Sequence, residues 1–210
     1  MTSKKRYDSL ILLVFFTFYV LGLFIYDDYG LSWDEYSERI SGFVSLNYVR
    51  EILSYETYQN FPKLNNYLYA EYGVVFNLPM AFIEKTFQID DSKQFFLIRH
   101  FFNFTVFFIS SIFFFLLLNK RFSKILSTIG LIFFYLSPRI FAESFYNNKD
   151  IIFLSFFIIS LFYAISFLNT PSYKNTFLLS ITSSLAIATR VMGIIVPFIV
   201  LIFFVALDNL

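Results

Sequence analysis

Apolar residues run along this chain in long blocks, and short polar segments separate all but one pair of them. The blocks at 10–26, 94–119, 124–138 and 151–169 predict membrane-crossing helices, the third of them short. A helix needs about 20 apolar residues to cross a hydrocarbon core of about 30 Å, with a tolerance of about 17–25. The last block, 176–206, is too long for one ordinary span and holds Arg190 and Gly193 near its middle. It reads as two short helices with a turn near 190–193, or as one long tilted helix. The pattern therefore predicts an all-α polytopic membrane protein of about six transmembrane helices.

The exception is the long segment 27–93 between the first two spans. After Ser32, the residues Ile40, Phe43, Val44, Leu46, Val49 and Leu53 recur mostly three and four apart, which predicts an amphipathic helix lying in the interface. Ser32 followed three residues later by Glu35 is a capping-box pattern that would start it. A second apolar stretch, 72–82, is interrupted by Pro79 and is too short to span. No internal repeat is visible.

Composition agrees with the pattern. The chain is 58% hydrophobic and only 15% charged, against about 45–50% and about 25% in soluble domains, so too little polar surface remains to cover a water-soluble core. The net charge of +1 without a basic stripe gives no reason to expect a nucleic-acid partner. Cysteine is absent, which removes disulfides, thiolate metal sites and reactive thiols. The heavy Phe, Ile, Asn and Lys usage fits an AT-rich bacterial genome. The first span is followed by Asp27-Asp28-Tyr29-Gly30 rather than a small-residue cleavage site, so it is expected to stay uncleaved.

Charge sets the expected orientation. Lys4, Lys5 and Arg6, then Lys120, Arg121 and Lys124, then Lys174 fall in segments that share one side and are assigned to the cytoplasm. Segment 27–93 and the connection 138–150 then face outward together. Segment 27–93 carries eleven of the fifteen acidic residues, so the asymmetry in charge is large.

Two outward acids stand out as candidates for chemistry. Asp34 opens the amphipathic helix and Asp150 opens the fourth span, each beside a membrane surface. A carboxylate there can take a proton from an acceptor hydroxyl or amine; the plainer alternative is that acids favour helix N-termini. Glu35 has the capping box as its structural duty. Asn148 can cap the fourth span. Lys149, a cation at a helix start, would be relieved by an anion such as a lipid phosphate, or else reaches toward head groups. Arg139 and Arg190 run against the positive-inside bias; each either binds phosphate or pairs with Glu143 or Asp150. Arg99 and His100, in the first turns of the second span, are expected to be structural and near enough to the surface to snorkel. The tyrosines of 48–72 either stack on sugar rings or form an interfacial belt.

These residues, in this order, resemble the N-terminal half of the integral-membrane glycosyltransferases of the GT-C type, especially the protein O-mannosyltransferase and aminoarabinose-transferase branch. The matching pieces are Asp34-Glu35-Tyr36 with Glu38, Arg39 and Ile40 beyond, Arg99-His100-Phe101-Phe102-Asn103, Ser137-Pro138, Asn148-Lys149-Asp150, and Ala188-Thr189-Arg190. The resemblance implies a single GT-C-like transmembrane domain over 1–210 that moves a sugar from a polyprenyl-phosphate carrier to a glycan, lipid or protein acceptor, with membrane lipids around it. It implies Asp34 as the base, with Glu35 beside it, Asp150 as the second acid near the donor, and Lys149, Arg139 and Arg190 at the phosphate. Some members use a divalent metal ion and others do not. Family members have more spans, so the resemblance also implies that the chain is an N-terminal part or a truncated form.

The expected setting is a bacterial inner membrane with the active site outward. The rival readings are an inactive fragment or non-catalytic membrane subunit, and a lipid or solute transporter. Transporters tend to show inverted repeats and midplane charges, and neither is seen here.

Overall fold

The structure is a computed structural model that describes residues 2–208, with side chains over 7–206. Lys4, Lys5 and Arg6 therefore lie outside the described side chains. The described chain is all helical: α1 (Thr2–Ile25), α2 (Glu35–Ile52), α3 (Asn77–Thr86), α4 (Ser92–Asn119), α5 (Lys124–Leu136), α6 (Pro138–Tyr146), α7 (Asp150–Asn169), α8 (Tyr173–Thr189) and α9 (Ile195–Asp208), with short 3-10 turns at Leu64–Asn66 and Val191–Ile194.

Three described helices are long and apolar enough to cross a membrane: Tyr7–Ile25, Ser92–Asn119 and Asp150–Asn169. A fourth span is reached if the pair α5 and α6, bent by 64°, counts as one. The bend has a local cause. Ser137 precedes Pro138 and is held extended (ψ 109°), and Pro138 then opens α6, where its missing N–H costs nothing. The sequence pattern counted six spans by adding the halves of 176–206. That block is indeed broken, at Arg190–Ile194, into α8 and α9, whose 17 and 14 residues lie at and below the lower limit for a span.

The 28 residues of α4 extend about 42 Å, well beyond a core of about 30 Å. The surplus allows its first turns to rise out of the core toward the polar segment 26–91. That segment is a folded roof. Phe43, Leu46 and Ala81 bury each other between α2 and α3, and Phe76 and Met80 carry the roof onto Ile152 of α7. Pro79 does not break its apolar stretch; it sits in the first turn of α3, where a proline is tolerated. Gly42 is required at the crossing, because a Cβ there would collide with the backbone of Asn77.

Below the roof the core is aromatic. Phe18 of α1 stacks on Tyr135 of α5 with ring centroids 3.3 Å apart, and Phe104 of α4 stacks on Phe145 of α6 at 4.9 Å. Leu12, Phe16 and Phe24 of α1 remain exposed on its other side, as a face turned to lipid would be. Asn103, which opens a glycosylation-like triplet, is fully buried and donates Nδ2 to the Ser144 carbonyl at 3.0 Å.

Candidate functional site

α7 and α8 form a helical hairpin of 20 and 17 residues, so the chain returns after α8 to the level at which α7 began. This places Arg190, just past α8, beside Asp150, the first residue of α7, and their side chains form an ion pair. Asp150 is also held by Asn147, whose Nδ2 donates to its Oδ2 at 3.2 Å.

The cap of α7 corrects a sequence expectation. Asn147, not Asn148, does the work: its Oδ1 accepts the Asp150 backbone N–H at 2.9 Å. The side chain of Asn148 is instead buried, and its Nδ2 has no hydrogen-bond partner. Asn147 Oδ1 also takes the Lys149 N–H at 3.4 Å, so it serves the N–H groups two and three positions on, as a capping side chain does.

α2 approaches the same place from the roof. Its Asp34 N-cap accepts the Glu38 N–H at 2.9 Å through its carbonyl, while its carboxylate makes no capping bond and is exposed. Glu35 is buried; Oε2 accepts the Ser32 N–H at 2.7 Å, which is the carboxylate half of the anticipated capping box. Oε1 of Glu35 meets Nε2 of His100 at 2.8 Å. Glu38, one turn on, receives Lys149 Nζ on Oε1 at 3.1 Å and Asn77 Nδ2 on Oε2 at 2.6 Å. Lys149 Nζ also sits 3.6 Å over the ring of Tyr72.

These pieces enclose a cavity of about 260 Å3 whose lining includes Asp34, Glu35, Glu38, Lys149, Asp150 and Arg190. Five of the six sequence candidates thus meet in one place. The sixth, Arg139, does not line the cavity; its side chain is 86% exposed and its Nε donates to Glu143 at 2.8 Å on the same helix. Two buried donors without partners belong to cavity-lining residues, Asn148 Nδ2 and Arg190 Nε. Buried unpaired donors are costly, and an acceptor in the cavity would relieve them. Behind the lining residue Tyr146, the Tyr29 ring lies 6.0 Å away and its phenol is pushed above its usual range, mainly by burial and then by Tyr146 and Asp28.

Arg99 and His100 do not snorkel. Both are at least 98% buried in the first turns of α4. Arg99 Nη1 donates to Glu84 Oε2 at 3.1 Å, and Arg39 reaches the other oxygen of the same carboxylate from α2. Glu84 therefore ties α2, α3 and α4 together, while His100 ties α4 to Glu35. Sequence reasoning passed over Glu84, Glu38 and Asn77 as site or scaffold residues. The available signals were the Glu35-x-x-Glu38 spacing, which sets both acids on one helix face, and an acid at position 84 beside an apolar stretch.

Among the described residues no group of three or more His, Cys, Asp or Glu is placed to hold a metal ion. Three of the four cavity carboxylates are already engaged with His100, Lys149 and Arg190.

The family described as dolichyl-phosphate-mannose-protein mannosyltransferase matches residues 79–209, well over half of the chain. The chain belongs to this family of membrane glycosyltransferases. The match takes in Lys149, Asp150 and Arg190 and stops short of Asp34 and Glu35, so the meeting of the two sets is a matter of the fold alone. No curated protein and no solved structure matches the chain.

Proposed function

We propose that the chain transfers a sugar from a polyprenyl-phosphate carrier to an acceptor on the outer side of the membrane, with the cavity under α2 as its active site. The observation that carries this reading is the separation of roles within that cavity. Two cations, Lys149 and Arg190, each paired with a carboxylate that an anionic substrate can displace, and two unpartnered donors, Asn148 Nδ2 and Arg190 Nε, stand at the cavity. One carboxylate, Asp34, is left without a capping bond or an ion pair. A volume of about 260 Å3 lies just below the usual range of ligand pockets, about 300–1,000 Å3. It suits a sugar and its phosphate with the prenyl chain left in the lipid.

In this mechanism Asp34 accepts the proton of an acceptor hydroxyl as the oxygen attacks the anomeric carbon. The bond from that carbon to the phosphate oxygen breaks on the opposite face, so the configuration inverts. Polyprenyl phosphate leaves with one more negative charge, which Arg190 and Lys149 receive in a partly water-excluded site. Asp150 keeps Arg190 oriented, and Glu35, fixed by His100 and the Ser32 N–H, holds the turn that presents Asp34. The outward setting is supported by Lys120, Arg121, Lys124 and Lys174, which mark the opposite side as the cytoplasmic one.

Asp34→Asn tests the reading. Removing a general base typically costs about 10²- to 10⁴-fold in rate. We expect transfer from a polyprenyl-phosphate sugar to fall in that range, while binding of polyprenyl phosphate and thermal melting stay unchanged, since the carboxylate holds nothing in the fold. Transfer that survives Asp34→Asn removes Asp34 as the base.

A further inference from the structure

Beyond the active-site cavity, the segment after α2 folds back along the second half of that helix and encloses a second, larger cavity of about 830 Å3. Its wall is built rather than slack. The Asn47 side chain bonds both backbone groups of Tyr58, giving Nδ2 to its carbonyl and taking its N–H on Oδ1, each at 2.9 Å. Phe61 stacks on Phe43 at 4.5 Å, and Arg50 lies over the Tyr58 ring at 4.6 Å while donating to the Glu56 carbonyl. Ser54, at φ 61°, makes the left-handed turn that sends the chain back. A wall fixed in this way spends little ordering entropy on binding.

The lining leaves particular groups free. Tyr48 and Tyr55 line the cavity with 46% and 63% of their surface exposed. The carboxylate of Glu51 has only Lys63, 4.0 Å away and itself largely exposed, and Glu56 and Gln59 add further polar groups. We propose that this groove binds a neutral oligosaccharide as the acceptor, a role that rests on the glycosyltransferase reading above. The Tyr48 ring and the face of Tyr55 turned away from Arg50, whose guanidinium lies 5.8 Å from that ring, suit the C–H faces of sugar rings, and carboxylate and amide oxygens suit their hydroxyls. The lining carboxylates Glu51 and Glu56 are offset by Lys63 and by Arg50 and Lys85 over the Tyr58 ring, so no charge of one sign dominates the groove, which suits an uncharged glycan. There is no strand among the described residues whose edge could take an extended peptide by β-addition; a peptide held as polyproline II on the tyrosines is the competing occupant that the test decides. Thirteen residues, or about 20 Å of helix, separate Glu51 from Glu38 at the first cavity, and at about 100° per residue the two point to different sides of α2. A glycan of several units seated on the tyrosines must pass around α2 to reach Asp34.

The test is ligand-observed saturation-transfer NMR on the full chain in detergent. The probes are neutral tetrasaccharides of mannose, glucose, galactose and N-acetylglucosamine, beside a Ser/Thr-rich decapeptide. At least one tetrasaccharide is expected to bind, and Tyr55→Ala is expected to weaken it about five- to tenfold, the range of one lost stacking contact. Glu51→Gln should weaken it less. Both side chains are exposed, so an unchanged melting curve checks that the fold is intact. Binding by no tetrasaccharide, binding that both variants leave unchanged, or peptide binding alone weakened by Tyr55→Ala would each overturn the proposal. Polyprenyl phosphate, titrated in parallel, reports on the first cavity. If it binds while every sugar fails, the glycan groove falls and the transferase reading stands.

Discussion

Two clusters of opposite charges lie within a few turns of each other under the roof, and they are built for different ends. Around Glu84, one carboxylate is shared by two guanidinium groups, with Glu84 and Arg99 almost wholly buried. Around Asp150 and Lys149, each cation has its own carboxylate, the Arg190–Asp150 pair is close to half exposed, and a cavity opens between the pairs. Arg99 has unpartnered atoms too, Nε and Nη2, but it does not line that cavity. The contrast teaches that charge at the edge of a membrane is not itself a sign of chemistry. A fully desolvated cluster fixes helices, whereas a half-solvated one beside a void can exchange its partners for a substrate.

The hardest way to break that contrast is to empty the centre of the buried cluster. Glu84→Ala leaves two guanidinium groups under the roof with no counter-charge, and breaking a buried pair in this way costs about 3–5 kcal/mol. We expect a large drop in melting temperature, or loss of folded protein, measured by thermal denaturation in detergent. A Glu84→Ala protein that melts like the parent would show the cluster to be incidental. Gly42→Ala attacks the same scaffold through packing. The added methyl group meets the Asn77 backbone, which cannot swing away as a side chain could, so overpacking of about 1–3 kcal/mol is expected. It should appear as a lowered melting temperature with the residual active fraction binding donor normally.

The cavity cluster should respond the other way. Arg190→Ala removes one guanidinium from an accessible pair, so melting should hardly move. Affinity for polyprenyl phosphate, followed by titration, should fall about tenfold, equivalent to about 1.4 kcal/mol of lost charge-assisted hydrogen bonding. A large stability loss with unchanged phosphate affinity would make Arg190 a second Glu84-type clamp and would erase the distinction.

The sequence was informative about these regions to unequal degrees. Spans such as α4 and α7 are legible because a bilayer demands long apolar runs, and Asp34, Lys149, Asp150 and Arg190 are legible because polar residues at such ends need a reason. The break at Arg190–Ile194 followed from an arginine and a glycine inside an apolar block. The Glu84 clamp was not legible, since pairing over 45 residues with Arg39 has no local signature. Nor was the burial of Arg99 and His100, which depends on a roof that covers the first turns of α4. The Asn147 cap was missed by one position because Asn147 and Asn148 are chemically identical and only the backbone geometry chooses between them.

Arg139 gives the mildest test and the sharpest reading of the contrast. Its sequence position suggested phosphate binding as strongly as that of Arg190, since both are arginines at helix ends that run against the charge bias. The structure separates them: Arg190 turns into the cavity beside Asp150, while Arg139 lies along α6 against Glu143 with most of its surface in the open. Exposed pairs of this kind contribute little. Arg139→Ala should therefore leave melting, phosphate affinity and transfer nearly unchanged, in assays where Arg190→Ala lowers phosphate affinity about tenfold. If Arg139→Ala instead weakens polyprenyl phosphate as much as Arg190→Ala does, the phosphate sits outside the cavity, over α6, and the partition between a structural cluster and a substrate cluster has been drawn in the wrong place.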